Sequence, residues 1–456
     1  MSSMLRPTLL ALAVLAAFPA AAQSNQELLD ELRALKARVA ELEKKVQAAP
    51  AAAPEPQAQW GMTPDQAAEL SRVTAKAEAT QDGLEAQGLL GLKISGYIEP
   101  AYIYNQRQNR AGFQFLNQQS DGYSYDTSYI GAAVIDFTKE TEGGTIWKLT
   151  LSPNRGAGAA IDGASIVQEA SVTIPLEGGM QLIAGQVPDW SGYEYQQPTL
   201  NPFTTHNLLY DFTLPLAYTG VGLIMPAGNW TWKAMVANVN GTIYAANQRA
   251  PALVFRGDYE LSEFSGFGVA GLVGNTANYN TGSATLSTLL EVDGYYTRGD
   301  WTLQGQLSYG QQKDGAITPD ANGNWRKSQW FGVSGTAGYM FNPRLQGLVR
   351  ADYIVNNKNG GGLFGYNGYT TQDEAGVWTY GNDDRNGLGP DLNGDLNRGA
   401  NRYALTLGMK YLLRTDTTLK FEYRLDGASR PVFLDAKSGE YARTNNMLAA
   451  SVVVAF

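Results

Sequence analysis

A single histidine, His206, occurs in the 456 residues, and it lies in the stretch WSGYEYQQPTLNPFTTHNLLYDF, 190–212. An imidazole there could serve as a general base for a hydroxyl nucleophile, provided that a third polar group orients it. Ser191 is the only serine of the stretch, and no serine stands in a recognisable nucleophile context. One partner of three can be named, so a lipase-like hydrolase built on His206 is the alternative reading, and the expectation is a protein that is not an enzyme. Asp391-Leu392-Asn393-Gly394-Asp395 opens like a calcium loop, but Leu396 and Arg402 occupy the sixth and twelfth positions, where glycine and glutamate belong. It reads as a solvated turn. The glycines of NGGGLFG, 359–365, follow a strand and open no helix, so they form no phosphate cradle. No metal and no cofactor are expected.

The same stretch fits a different task better. Pro198 and Pro202 stiffen it, Trp190, Tyr193, Tyr195, Phe203 and Tyr210 can pack it on itself, and Asp189, Glu194, Gln196, Gln197, His206 and Asp211 are polar. Such a segment suits the narrowing of an aqueous channel. Asp189, Glu194, Gln196, His206 and Asp211 are the candidate constriction residues.

What positions this loop is a run of short alternating segments. Leu419, Phe421, Tyr423 and Leu425 alternate with Lys420, Glu422 and Arg424; Tyr403, Leu405, Leu407 and Met409 alternate with Arg402, Thr406 and Lys410. Alternation is shared by soluble sandwiches and membrane barrels, and a secreted β-rich binding protein is the other alternative on this ground. Connection lengths separate the two. The pattern predicts sixteen strands, the first two at 91–104 and 127–139, and turns such as Glu177-Gly178, Arg298-Gly299, Asn342-Pro343 and Arg414-Thr415 alternate with long connections, up to 357–400. Short turns on one rim and long loops on the other are the layout of an outer-membrane barrel. The alternating strand closed by Phe456 resembles the signal by which the outer-membrane assembly machinery recognises its substrates. The fold class expected is all-β, a sixteen-stranded antiparallel transmembrane β-barrel over 89–456. In its inward phase fall Arg350, Arg402, Lys410, Lys420 and Arg424 as candidate pore-wall cations, facing an acidic loop. That opposition predicts a transverse field across the eyelet.

Composition agrees. Glycine (51), tyrosine (25) and tryptophan (9) are abundant, only 17% of residues are charged and cysteine is absent. An exported chain without cysteine must be stable without disulfides. A net charge of −9 excludes nucleic acid as a partner. Export itself is expected from residues 1–22, a signal peptide with a short basic start, an apolar core and Ala20-Ala21-Ala22. Residues 23–47 carry a heptad with Leu28, Leu35 and Leu42 at d and Leu32, Val39 and Val46 at a. Val at a with Leu at d leans toward dimers, whereas Arg38, Val39, Leu42 and Glu43 match a trimerisation motif of short parallel coils, so a homotrimer is expected. A Pro/Ala linker over 48–62 and a helix over 63–88, a periplasmic spacer or a plug, complete the prefix. Outer-membrane lipid, small hydrophilic solutes and, through the periplasmic coil, peptidoglycan are the candidate partners.

GYIEPAYIYN (96–105), PDWSGYEYQQPTLNPFTTHNLLYDFTLP (188–215) and GPDLNGDLNRGANRYAL (389–405), together with the coil, resemble the OmpL-like β-barrel porins and a proteobacterial outer-membrane family of unknown function with an N-terminal coiled coil. The third long loop resembles that of general trimeric porins, which folds inward. This resemblance implies passive diffusion of small hydrophilic solutes across the outer membrane and leaves the cargo open.

Overall fold

The structure is a computed structural model; it describes residues 36–37, 76, 88–116, 130–152, 166–240, 249, 251–278, 280–364, 369–372, 378–381, 387–390 and 394–456. The expected signal peptide, coil with its residues Arg38, Val39, Leu42 and Glu43, linker, and helix over 63–88 lie outside the described residues, apart from 36–37, 76 and 88.

One antiparallel sheet closes on itself. Strands β1 (Leu92–Ile98) and β2 (Ala101–Asn105) form a single stave broken at Pro100, which has no amide proton to give to a ladder. The next stave is also double: β3 (Arg110–Gln114) pairs with β2, and β4 (Ala133–Glu140) pairs with β1. There follow β5 (Ile146–Leu151), β6 (Val167–Pro175), β7 (Gln181–Pro188), β8 (Ala217–Ala227), β9 (Trp230–Val239), β10 (Ala252–Ser262), β11 (Ser265–Asn278), β12 (Ser283–Arg298), β13 (Trp301–Gln312), β14 (Ser328–Asn342) and β15 (Leu345–Val355). A small hairpin, β16 (Tyr369–Gln372) and β17 (Trp378–Gly381), sits in the next connection. The wall resumes with β18 (Arg402–Arg414) and β19 (Thr417–Ala428), and after the two-residue pair β20 (Phe433–Leu434) and β21 (Tyr441–Ala442) ends with β22 (Thr444–Ala455).

The eighteen strands of the sheet thus make sixteen staves, because two staves are each built from two strands. β22 pairs with β19 on one side and with β1 and β2 on the other, which closes the ring. Phe456 secures the seam through reciprocal backbone hydrogen bonds with Gly96, at 3.0 and 3.2 Å. The expected second strand, 127–139, is corrected at its start: the return stave begins at Arg110, after a turn at 106–109, runs to Gln114 and resumes at Ala133. Its hydrophobic pattern is too short there, RAGFQ, to signal a strand.

The barrel is inside out relative to a soluble protein. Apolar side chains such as Val221 (55% exposed), Val236 (55%) and Leu407 (51%) cover the outer face, while Arg350, Arg402 and Arg424 are fully buried within. In a sandwich the apolar face would be the core, so the secreted binding-protein reading does not survive. A belt of aromatics in contact marks the short-turn rim on the outer face, with Trp230 stacked on Trp232 (4.9 Å between centroids) and Trp301 tilted against Tyr339 (4.9 Å), as expected where a barrel meets the lipid headgroups. No helix among the described residues is long and apolar enough to cross a membrane, a statement that does not concern barrels.

Candidate pore constriction

The connection between β7 and β8, residues 189–216, folds into the barrel. An irregular backbone inside a barrel cannot leave its amides and carbonyls unsatisfied, since each would cost as much as a lost hydrogen bond. Here the wall supplies the partners, strand by strand. Arg256 on β10 donates to the Trp190 carbonyl at 2.8 Å. The Tyr193 hydroxyl meets Ser334 (2.7 Å) and Thr336 (2.9 Å) on β14. Arg350 on β15 donates to Glu194 Oε1 (2.9 Å), to the Thr205 carbonyl (2.8 Å) and to the His206 carbonyl (2.9 Å). Arg424 on β19 donates to the same His206 carbonyl at 2.8 Å. Lys420 donates to the carbonyls of Pro198 (2.6 Å) and Phe203 (3.1 Å).

Carboxylates receive the amides. Glu422 accepts from the Thr204 amide at 2.8 Å and from the Thr205 hydroxyl at 2.6 Å, Glu194 from the Asn207 amide at 2.7 Å, and Asp352 from the Leu208 amide at 3.3 Å. These are charge-assisted bonds in a dry setting, about twice as strong as neutral ones. The segment then turns into a short helix, α1 (Leu208–Thr213), whose N-cap Asn207 accepts from the Tyr210 amide. Leu208, Leu209 and Phe212 are buried, and Leu209 lies over Gly332 of β14, where a Cβ would come within 3.0 Å of it.

Gly192 has a positive φ of 80°, and a Cβ there would lie 3.0 Å from Gln306 Oε1 and 3.1 Å from Leu214 Cδ1. Gly192→Ala is expected to cost about 1–2 kcal/mol from the left-handed backbone, plus the crowding. A lower thermal unfolding midpoint in detergent would report it, and an unchanged midpoint would show that the loop root gives way freely.

The residues singled out from sequence fall into distinct places. Glu194 sits at the centre of the latch, on Arg350. Asp189 lies at the loop root, accepting from the Tyr218 hydroxyl and from Ser191 Oγ. Gln196 is buried with neither amide atom hydrogen-bonded among the described residues. His206 is buried and stacks on Tyr210 at 4.2 Å; its Nε2 lies 3.0 Å from the Tyr195 carbonyl, and its Nδ1 is 3.9 Å from Asp211. Burial, and then the nearby Arg350, Lys420 and Arg424, push the imidazole down to about 3, so it remains neutral across the physiological range.

The wall cations divide in the same way. Arg350, Lys420 and Arg424 meet the loop. Arg402 does not: it pairs with Asp426 at 3.1 Å, donates to the Gly427 carbonyl and lies 4.7 Å from the Phe433 ring, bracing the connection before β22. Lys410 is half-buried and sits across from Lys420 in the β18–β19 register. The expected transverse field is therefore corrected. Acidic loop and basic wall do not face each other over open water; they are in contact, and their charges cancel there.

Asp352 and Glu422, which the alternation places on the inward phase, belong to the latch together with Tyr193, expected only to pack the loop, and Thr205. Glu422 stands between Lys420 and Arg424 on that phase, though it is not among the constriction candidates. Thr205 carries no such signal. The calcium-like segment is described only at its end, where Asp395 is exposed and pairs with Arg398 at 3.5 Å. Among the described residues no three His, Cys, Asp or Glu side chains gather as metal ligands.

Comparison places the fold among outer-membrane barrels. OmpT of Vibrio cholerae, folded in vitro, superposes with a TM-score of 0.50 at 10% identity, covering 80% of this chain and 97% of that one. OmpF of Salmonella typhi, in complex with daunomycin, gives 0.49 at 12% identity, covering 80% and 97%. The anion-selective porin from Comamonas acidovorans gives 0.48 at 10%, covering 80% and 99%. At these identities the likeness is one of fold. No curated protein matches the sequence. A family model described as "Protein of unknown function (DUF3138)" matches residues 55–258 and 261–456. The chain, a closed sixteen-stave barrel with the loop 189–216 latched inside, therefore belongs to the DUF3138 family.

Proposed function

We propose that this protein is an outer-membrane porin that lets small hydrophilic solutes diffuse through its lumen, past a constriction made by the loop 189–216. One observation carries this reading: the loop is folded into the barrel and fixed to the inner wall by Arg350, Lys420, Arg424 and Glu422. Loop and latch run along the wall from β10 to β22, and the loop also packs on Ile183, Tyr218 and Met235 of β7 to β9, so this reading puts the passage beside β4 to β6. Polar side chains lie on and beside that side: the partly exposed Lys148 with the buried Glu169 at 2.7 Å, and the partly exposed Lys233 and Asp258 at 4.0 Å. Tyr195, 43% exposed, projects from the loop toward Arg256 and Asp258. These charges come in pairs, which favours polar solutes of either sign over a strongly selected ion.

The reading includes a homotrimer, supported by the trimerisation motif at Arg38–Glu43, and no catalytic chemistry. Planar-bilayer recording of the purified full chain tests it. Stepwise openings grouped in threes are the expected result. A membrane that stays electrically silent at saturating protein would overturn the proposal, and hydrolase activity abolished by His206→Ala would replace it.

A further inference from the structure

At the loop root, polar atoms without partners converge. Glu291 on β12 points inward and is 1% exposed, yet neither of its carboxylate oxygens has a hydrogen-bond partner among the described residues. Ser191 lies beside it but donates to Asp189 Oδ1, and Asp189 Oδ2 is also without a partner. Directly across the β12–β13 ladder from Glu291 stands Ser308, 1% exposed, whose hydroxyl is unpartnered. Two residues along β13, Gln306 is 3% exposed with neither amide atom bonded, and its Oε1 abuts Gly192, the neighbour of Ser191. Arg256, the nearest cation, is already engaged by Asp293 at 2.6 and 2.9 Å, by Asp258 and by the Trp190 carbonyl.

The loop's Glu194 and the wall's Glu422 and Asp352 are each given a counter-charge or amide and hydroxyl dipoles. Asp189 has hydroxyl donors on one oxygen only, and Glu291 has none on either. Two buried carboxylates without a cation are costly, and the oxygen atoms around them form a hard donor set: Glu291 Oε1 and Oε2, Asp189 Oδ2, Ser308 Oγ and Gln306 Oε1. Such a set matches a divalent cation of the calcium type, which takes carboxylate, amide and hydroxyl oxygens together with water.

We infer that Asp189 and Glu291, with Ser308 and Gln306, form a binding site for a divalent hard cation that staples the root of the loop to β12 and β13. The site requires only the buried geometry and does not depend on the channel reading. Its position does bear on that reading, because the loop root sets where the constriction begins. The site is separate from the calcium-like segment at Asp395, which is exposed and far along the chain.

Terbium(III), an analogue of calcium whose emission is sensitised by nearby indole and phenol rings, is the probe, since Trp190 and Tyr218 flank Asp189. The full chain in detergent, first stripped with a chelator, is titrated under ultraviolet excitation. The expected result is saturable emission that excess calcium displaces, weakened about tenfold or more in Glu291→Gln and in Asp189→Asn, and unchanged in Asp395→Asn. Wild-type protein without saturable emission, or emission lost in Asp395→Asn and kept in the other two, overturns the site. Should the variants fail to fold, the wild type alone decides. A thermal midpoint raised by calcium and lowered by chelator supports the site, while a midpoint indifferent to both assigns the carboxyls to protons only and rejects it.

Discussion

Replacing Arg350 by alanine is expected to unfasten the loop and to widen the channel. Arg350 is fully buried, and its guanidinium holds Glu194 at 2.9 Å, Asp352 at 3.5 Å and the carbonyls of Thr205 and His206. Removing it leaves the Glu194 and Asp352 carboxylates without their cation in a dry interior and takes a donor from the Thr205 carbonyl, while the His206 carbonyl keeps Arg424. The loss of one partner of a buried pair costs about 3–5 kcal/mol, more than the net value of the pair itself, because the remaining charge has no water. Burial already pushes the Glu194 carboxyl above its usual range, with Arg350 the main opposing influence. In the variant, Glu194 therefore takes up a proton or leaves the wall. Thermal unfolding in detergent should fall accordingly, and single-channel conductance should rise with added noise. Glu194→Gln alone should be milder, since Arg350 keeps Asp352, and the double variant should show a coupling of about 0.5–3 kcal/mol. Stability and conductance both equal to wild type would mean that the loop is held by packing of α1 rather than by the latch.

The second large effect lies on the other face of the wall. Leu407, near the middle of β18, points outward between Val349 and Tyr423 in the register. Leu407→Arg puts a charge where the barrel meets the hydrocarbon, a cost of about 2–4 kcal/mol at mid-depth. We expect loss of folded barrel in lipid vesicles, read as loss of the heat-modifiable band, with much less damage in a short-chain detergent. Lys233→Gln, on the inner face, is the contrast: folding should be retained and only conductance should change. If Leu407→Arg folds in vesicles as wild type does, the outer face is not a lipid surface.

Much of the architecture was legible in the residues. A strict alternation such as that of Leu405, Leu407 and Met409 with Thr406 and Lys410 determines which side chains share a face, because the strand period is two. The alternation of short turns and long loops determined the up-and-down connectivity, and it placed the segment 189–216 on the long-loop rim. The second stave shows where this stops. Its two pieces, Arg110–Gln114 and Ala133–Glu140, are separated in the chain, and RAGFQ has neither the length nor the pattern to announce the first of them.

The candidate site was half legible. Composition and position indicated an inward loop, and the inward phase of Arg350, Lys420 and Arg424 followed from alternation. What periodicity cannot supply is distance across the lumen. A cation on β15 and an acid on the loop can face each other over water or touch, and the sequence is the same in either case. Touching turned a predicted field into a latch, with Glu422 and Asp352 as the acceptors of the loop's amides. It also gave His206 a structural place, stacked on Tyr210 and bonded through its own carbonyl to Arg350 and Arg424. The sequence by itself determined the sheet, its two faces and the order of its loops, since those depend on neighbours along the chain. Only the tertiary structure decided what the buried charges do, because their energy depends on partners more than a hundred residues away and on the exclusion of water between them.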